Sequence, residues 1–224
     1  MRVGLAFNVK PADPPDHLPE DAFEEYDSED TVAHIENALS RLGHDVHRLP
    51  AGRGFVDAVR GAAPDIVFNI AEGEGGRCRE AHVPAVLEML GVPYVGSDPL
   101  TLCVTLDKPV AKRLVEHEGF PTPPFRTFRS AEELESLPFP FPVIVKPAFE
   151  GSSKGVRIAS RATSLDQARE MVRFVTQTYR QEAMVEAFVP GAEVTVGVLG
   201  NDPPRVAGMM EIVPKTVSPA EFVY

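Results

Sequence analysis

The chain has 224 residues, is 43% hydrophobic, and carries a formal net charge of −11 from 22 basic and 33 acidic residues. That length allows two or three compact units with real cores. The acidic balance argues against general nucleic-acid binding, but not against a nucleotide site built from a few local lysines. No apolar run is long enough to span a bilayer, and Met1-Arg2 leads straight into a strand-like run with no signal peptide. Cys78 and Cys103 have neither metal nor disulfide spacing; they are expected as two buried thiols in a reducing compartment, consistent with a cytoplasmic location.

In chain order, Arg2–Val9 reads as a strand. Lys10–Ser28, with four prolines and seven acids, reads as a polar surface loop. Asp30 is placed to cap a helix with Ile35, Leu39 and Leu42 on its apolar face and Gly43 at its end. His44–Leu49 fits a second strand and Phe55–Arg60 a short helix. Asp65–Ile70 is nearly all apolar, as expected of a strand in a parallel sheet covered on both faces. A Gly-rich loop, Glu72–Arg77, precedes a helix with Val83, Val86, Leu87 and Leu90 inward, and Pro93–Val95 is a further short strand. This alternation predicts a parallel α/β unit ending near Gly96.

A second unit is expected from Asp98. Asp107 suits an N-cap, with Pro109 in the first turn of a helix running to Glu118. Ser130-x-x-Glu133 and Ser164-x-x-Gln167 read as capping boxes, the second opening a helix with Leu165, Ala168, Met171, Val172 and Val175 on one face. Met184–Val189 is expected as a strand, and Glu193–Leu199 with Arg205–Val213 as an antiparallel hairpin that begins a third unit.

The segment 143–155 bears the most chemistry. A short apolar strand ends on Lys146 and Pro147, the loop Glu150-Gly151-Ser152-Ser153-Lys154-Gly155 follows, and a new strand is expected from Val156. A strand-end ammonium facing a Gly/Ser loop with close-approaching N–H groups suits a polyphosphate. It is not a P-loop, which runs from Gly-x4-Gly-Lys-Ser/Thr into a helix.

Together with Leu-Asp-Lys-Pro (106–109), Leu-Gly-Val-Pro-Tyr-Val-Gly-Ser (90–97) and Val-Glu-Ala-Phe-Val-Pro-Gly-Ala-Glu-Val-Thr-Val (185–196), this segment resembles the ATP-grasp ligases, and within them the D-alanine–D-alanine ligases and their relatives. The resemblance runs from about Leu90 to Val198 and fades over the first 90 residues. It implies an α/β fold: a Rossmann-like parallel pre-ATP-grasp domain over 1–97, a central ATP-grasp subdomain over 98–183, and the start of an incomplete α+β C-terminal subdomain over 184–224. It also implies roles. Lys108 and Lys146 match the lysines that hold the ATP phosphates, and Ser152 and Ser153 match the loop that closes over them, Ser152 also lying near the amino-acid substrate. Glu186 matches the acid that meets the adenine amino group, Ala187 and Val189 match backbone partners of the adenine edge, and Glu193 matches the acid on the ribose hydroxyls. In that family ATP phosphorylates a carboxylate, an amine attacks the acyl phosphate, and an amide and phosphate leave, with Mg2+ and lysines neutralising charge. This points to peptidoglycan precursor synthesis, with ATP and a small amino-acid-like substrate as partners; a homodimer is compatible with the resemblance.

The departures are equally specific. The family's acid near the first helix, which holds the substrate ammonium, has a counterpart only in Glu29, in different surroundings. The family's His-Gly-x-x-Gly-Glu segment is replaced by Asn69-Ile70-Ala71-Glu72-Gly73-Glu74-Gly75-Gly76-Arg77. The family's metal-binding acids come later than Tyr224, so this chain alone is expected to be inactive. Two other readings stand beside the leading one: an ATP-grasp ligase for another amino acid or small acid, and a non-catalytic nucleotide-binding module.

Overall fold

Strand β1 (Arg2–Phe7) is buried from Val3 onward. It forms the middle of a parallel sheet with β2 (Asp45–Pro50), β3 (Ile66–Asn69) and β4 (Tyr94–Val95), in the order β2-β1-β3-β4. The computed structural model describes residues 1–213, so 214–224, the end of the expected C-terminal part, lies outside the described residues. The sheet is covered on both faces. Leu5 and Phe7 pack with Val32 on one side, and Ala6, Leu49 and Val67 pack with Phe55, Val59 and Leu87 on the other. That is why β1 and β3 read as nearly continuous apolar runs.

Helix α1 (Glu29–Arg41) starts two residues earlier than expected. Ser28, not Asp30, is its cap: the Ser28 hydroxyl accepts the Thr31 N–H at 3.0 Å, and Asp30 falls in the first turn, where its charge opposes the helix dipole favourably. Val32 is fully buried on this helix, whereas Leu42, expected on its apolar face, is exposed. Helix α2 (Phe55–Ala62) follows β2, and a 3-10 turn (Arg79–Ala81) leads into α3 (His82–Leu90). Two further helices follow β4. Helix α4 (Pro99–Leu106) is one the sequence reading did not anticipate. Its cap is Asp98, which accepts the Thr101 N–H at 2.7 Å, with Pro99 in the first turn. Helix α5 (Lys108–His117) is capped by Asp107 as expected. The cysteines are not the buried pair expected: Cys78, in the polar loop before the 3-10 turn, is exposed, and Cys103 on α4 is half-buried.

The chain folds as two units. Met1–Thr122 forms the first together with the loop Ala148–Gly155, so α4 and α5 group with the parallel sheet; Pro123–Pro147 and the described residues from Val156 form the second. The second unit contains β5 (Phe125–Phe128), β6 (Val143–Pro147), β7 (Arg161–Ala162) and β8 (Ala183–Ala187), antiparallel in the order β5-β8-β6-β7. Helix α6 (Leu165–Tyr179) lays Ala168, Met171, Val172 and Val175 against Val143, Val145 and Val185, with Leu134 fully buried beside them. Ser164 caps α6 as expected, accepting the Gln167 N–H at 3.3 Å; the Gln167 side chain accepts instead from Thr163, one residue early. The strand expected from Val156 is absent. A 3-10 turn, Ile158–Ser160, takes its place, fixed by the Arg157 N–H donating to the Ser160 hydroxyl at 2.9 Å, and only two residues pair as β7. Strands β9 (Glu193–Leu199) and β10 (Arg205–Ile212) form the expected hairpin; among the described residues they pair only with each other, and Val194, Val196 and Val198 are exposed.

Candidate active site

In the second unit, β6 and β8 are direct neighbours, with Ile144 opposite Glu186 and Lys146 opposite Met184. Lys146 and Glu186 are therefore diagonal neighbours, two residues apart in register, which long side chains can bridge. They form an ion pair in which the Glu186 side chain is 9% exposed and that of Lys146 is 23% exposed. The chain continues through Ala187, whose N–H donates to the Pro124 carbonyl at 3.0 Å. Val189 is exposed just past the strand, and Glu193 is exposed at the start of β9.

In the first unit, Lys108 opens α5 at the foot of the 148–155 loop. Its N–H donates to the Ala148 carbonyl at 3.1 Å and its ammonium donates to the Glu150 carbonyl. Ser152 and Ser153 are exposed at the loop tip, both in the left-handed region (φ 45° and 59°). Non-glycine residues take that conformation only where the surroundings over-determine it. Here the surroundings are polar and buried. Glu25 accepts the Gly151 N–H at 2.6 Å, and Asp21 accepts the Gly155 N–H at 2.8 Å. Arg79 donates to Glu25 at 2.5 Å, to Glu150 at 3.0 Å and to the Phe149 carbonyl at 2.9 Å, and Lys154 pairs with Glu150 at 2.9 Å. The loop 10–28, read from sequence as plain polar surface, thus supplies the buried acid Glu25.

A cavity of about 530 Å³ lies beside this loop, lined by Ser152, Glu25, Tyr26, Asn69, Glu72 and Glu80 among others. Several lining residues follow the carboxyl ends of β3 and β4, the edge where open parallel sheets bind ligands. Carboxylate oxygens of Glu25, Glu72 and Glu80 lie within 4.8 Å of one another. Burial pushes the Glu72 carboxyl up to about 7, with the charges of Glu80 and Glu25 adding to the shift and Arg79 opposing it. Burial also raises Glu80. Glu29 is elsewhere. Its carboxylate pairs with Arg48 of β2, and it lines a separate hollow of about 480 Å³ with Asn8 and Glu74. Ser152 and Glu29 are therefore not brought together; the acids that share a cavity with Ser152 include Glu25, Glu72 and Glu80.

The Glu72 shift has a measurable sign. A carboxyl whose folded pKa is raised holds its proton longer in the native state, so it favours folding below about 4.5 and loses that contribution as pH rises towards 7. Glu72→Gln should therefore match the parent near pH 4.5 and exceed it at pH 8 by about 1–2 kcal/mol, allowing for solvent screening of a partly exposed group. Urea unfolding at the two pH values measures this; equal differences at both would show that Glu72 titrates normally.

The chain is similar to known proteins in sequence and in fold. Residues 114–222 match the family model described as D-ala D-ala ligase C-terminus. An uncharacterised protein of Sinorhizobium fredii is 38% identical over 182 residues, covering 78% of this chain and 53% of that protein. The D-alanine–D-alanine ligase of Moorella thermoacetica is 35% identical over 188 residues, covering 80% and 59%. The chain thus spans a little over half the length of these relatives. Among solved structures, D-alanine–D-alanine ligase from Bacillus anthracis complexed with ATP superposes with a TM-score of 0.68 at 20% identity, covering 95% of this chain and 66% of that one. D-alanyl-alanine synthetase A from Vibrio cholerae gives 0.68 at 16% identity, covering 95% and 68%. The fold is accordingly a partial ATP-grasp fold.

Proposed function

We propose that this chain belongs with the D-alanine–D-alanine ligase-like ATP-grasp proteins it resembles and carries the nucleotide-binding part of a cytoplasmic ATP-dependent carboxylate–amine ligase that makes an amide through an acyl phosphate. The observation that carries this reading is Lys108 seated on the serine loop: an ammonium fixed at the base of a loop whose hydroxyls are exposed at its tip. In this reading Lys108 and Lys146 neutralise the phosphates, and Ser152 and Ser153 bind them from the loop. Glu186, the Ala187 carbonyl and Val189 meet adenine, and Glu193 meets the ribose. We divide the chain functionally into 1–97, 98–183 and 184–224, as the family resemblance implies.

The reaction's magnesium finds no fitting donor set among the described residues. The one carboxylate cluster that could hold an ion includes Glu25, already engaged by Arg79 and the Gly151 N–H, and Glu72, whose carboxyl burial pushes up to about 7, so that it is only partly ionised near neutral pH.

A second reading, a ligase for an amino acid other than D-alanine, is favoured by the acidic cavity. Carboxylate oxygens of Glu72 and Glu80 lie within 4.8 Å of those of Glu25 in it, and the ammonium of an amino-acid substrate placed there would favour their ionised forms, offsetting the burial that raises them. A phosphate-release screen of the complete gene product, with Mg-ATP and individual D- and L-amino acids, tests both readings. Release only when an amino acid is present is expected, and which amino acid supports it separates the two. Absence of both ATP binding and phosphate release would remove the ligase assignment.

A further inference from the structure

We infer that Arg79 is a positioning residue for the serine loop, clamping Glu150 of that loop to Glu25 of the substrate-side cavity. The arginine is 93% buried at its side chain and spends its fork on three oxygens: Glu25, Glu150 and the Phe149 carbonyl. A buried guanidinium with bidentate reach is the group that can hold two carboxylates and a carbonyl at once. Glu25 is shared in turn: the same oxygen that accepts from Arg79 accepts the Gly151 N–H, one residue before Ser152. The clamp thus joins the wall of the cavity to the backbone that presents the serines. A ligand that draws on Glu25 shifts the support of Gly151, and a phosphate that draws the loop shifts Glu150. Occupancy of the cavity and closure on phosphate are coupled through one side chain.

The sequence gives this clamp a fixed base. Arg79 begins the 3-10 turn ahead of α3, and Gly73 approaches its backbone so closely that no side chain fits between them. The turn, and with it the guanidinium, is therefore held from the β3 side of the parallel sheet rather than from the loop it positions.

This inference deepens the ligase reading and rests on it only for the claim that the loop closes on phosphate; the clamp itself is tested without catalysis. Amide hydrogen exchange is followed in the full-length protein for the parent, Arg79→Ala, Arg79→Lys and Glu150→Gln. Arg79→Ala and Glu150→Gln should speed exchange of the Gly151 and Gly155 amides by roughly tenfold or more, the equivalent of one lost charge-assisted contact, while amides of β1 and β3 keep their parent rates. Arg79→Lys, which keeps the charge but not the fork, should fall between. If Arg79→Ala leaves too little folded protein, Glu150→Gln carries the test, since it keeps the Arg79–Glu25 pair. Loop amides at parent rates, or sheet amides rising equally with them, would overturn the clamp. In turnover, Arg79→Lys should raise the KM for ATP more than it lowers kcat. Absence of turnover in the parent would count against the ligase reading and leave the exchange result standing.

Discussion

Lys146→Ala is expected to lower stability by about 3 kcal/mol and to weaken ATP binding roughly tenfold to a hundredfold, two losses with different origins. The first comes from Glu186. Its side chain is 9% exposed, and the substitution takes away its cation while leaving the carboxylate in place. Removing one member of a buried pair costs far more than the pair itself contributes, because the survivor keeps its desolvation penalty. The second loss is that of a charge-assisted contact to a phosphate. A double variant separates them. Lys146→Ala with Glu186→Gln also removes the charge of the buried acid, so urea unfolding should show most of the stability returning. Calorimetric titration with ATP should show no matching recovery of affinity. If the single variant folds stably and binds ATP as the parent does, Lys146 has no part in the nucleotide site.

The parts of this molecule that the sequence made legible are those governed by local rules. The apolar run Asp65–Ile70 announced a strand covered on both faces; Val67 is fully buried in the core on one face and Phe68 packs against the core on the other. Asp107 and Ser164 cap the helices they were expected to cap. The Lys146–Glu186 pair was anticipated as two separate ligand residues but not as a pair, because register between β6 and β8 is set by packing across 40 residues of intervening chain. The polar clamp was not legible at all. Glu25 and Arg79 are 54 positions apart, and Arg79 and Glu150 are 71 apart. An acid in a Pro-rich polar stretch reads as solvated, and only long-range burial distinguishes Glu25 from its exposed neighbours. Glu29 attracted attention for the opposite reason: it sits beside a helix start, a local cue, yet its charge is engaged by Arg48. The strand expected from Val156 and absent from the structure follows the same logic, since a β-branched residue after a glycine looks extended whether or not a partner strand is within reach.

Gly73→Ala is expected to be the most disruptive single-methyl change in the first unit, costing about 3–4 kcal/mol. Gly73 has φ +77°, in the left-handed region, and a Cβ there would overlap the Arg79 carbonyl oxygen and stand 2.6 Å from its carbonyl carbon. Neither backbone can yield cheaply. The Gly73 N–H donates to the Asn8 side chain at 2.9 Å, and its carbonyl accepts from the Tyr26 hydroxyl at 3.1 Å, so a shift of this peptide breaks two contacts that hold the loop after β3. A shift of the Arg79 backbone instead misplaces the guanidinium that holds Glu25 and Glu150. Gly75→Ala supplies the control. Gly75 has a similar φ of +63°, but nothing lies within 4 Å of its built Cβ, so it should show only the left-handed backbone cost of about 1–2 kcal/mol. Urea unfolding of the two variants measures the steric part by difference. Indistinguishable midpoints for the two would mean that the Arg79 turn is free to move, and the base on which the clamp rests would be gone.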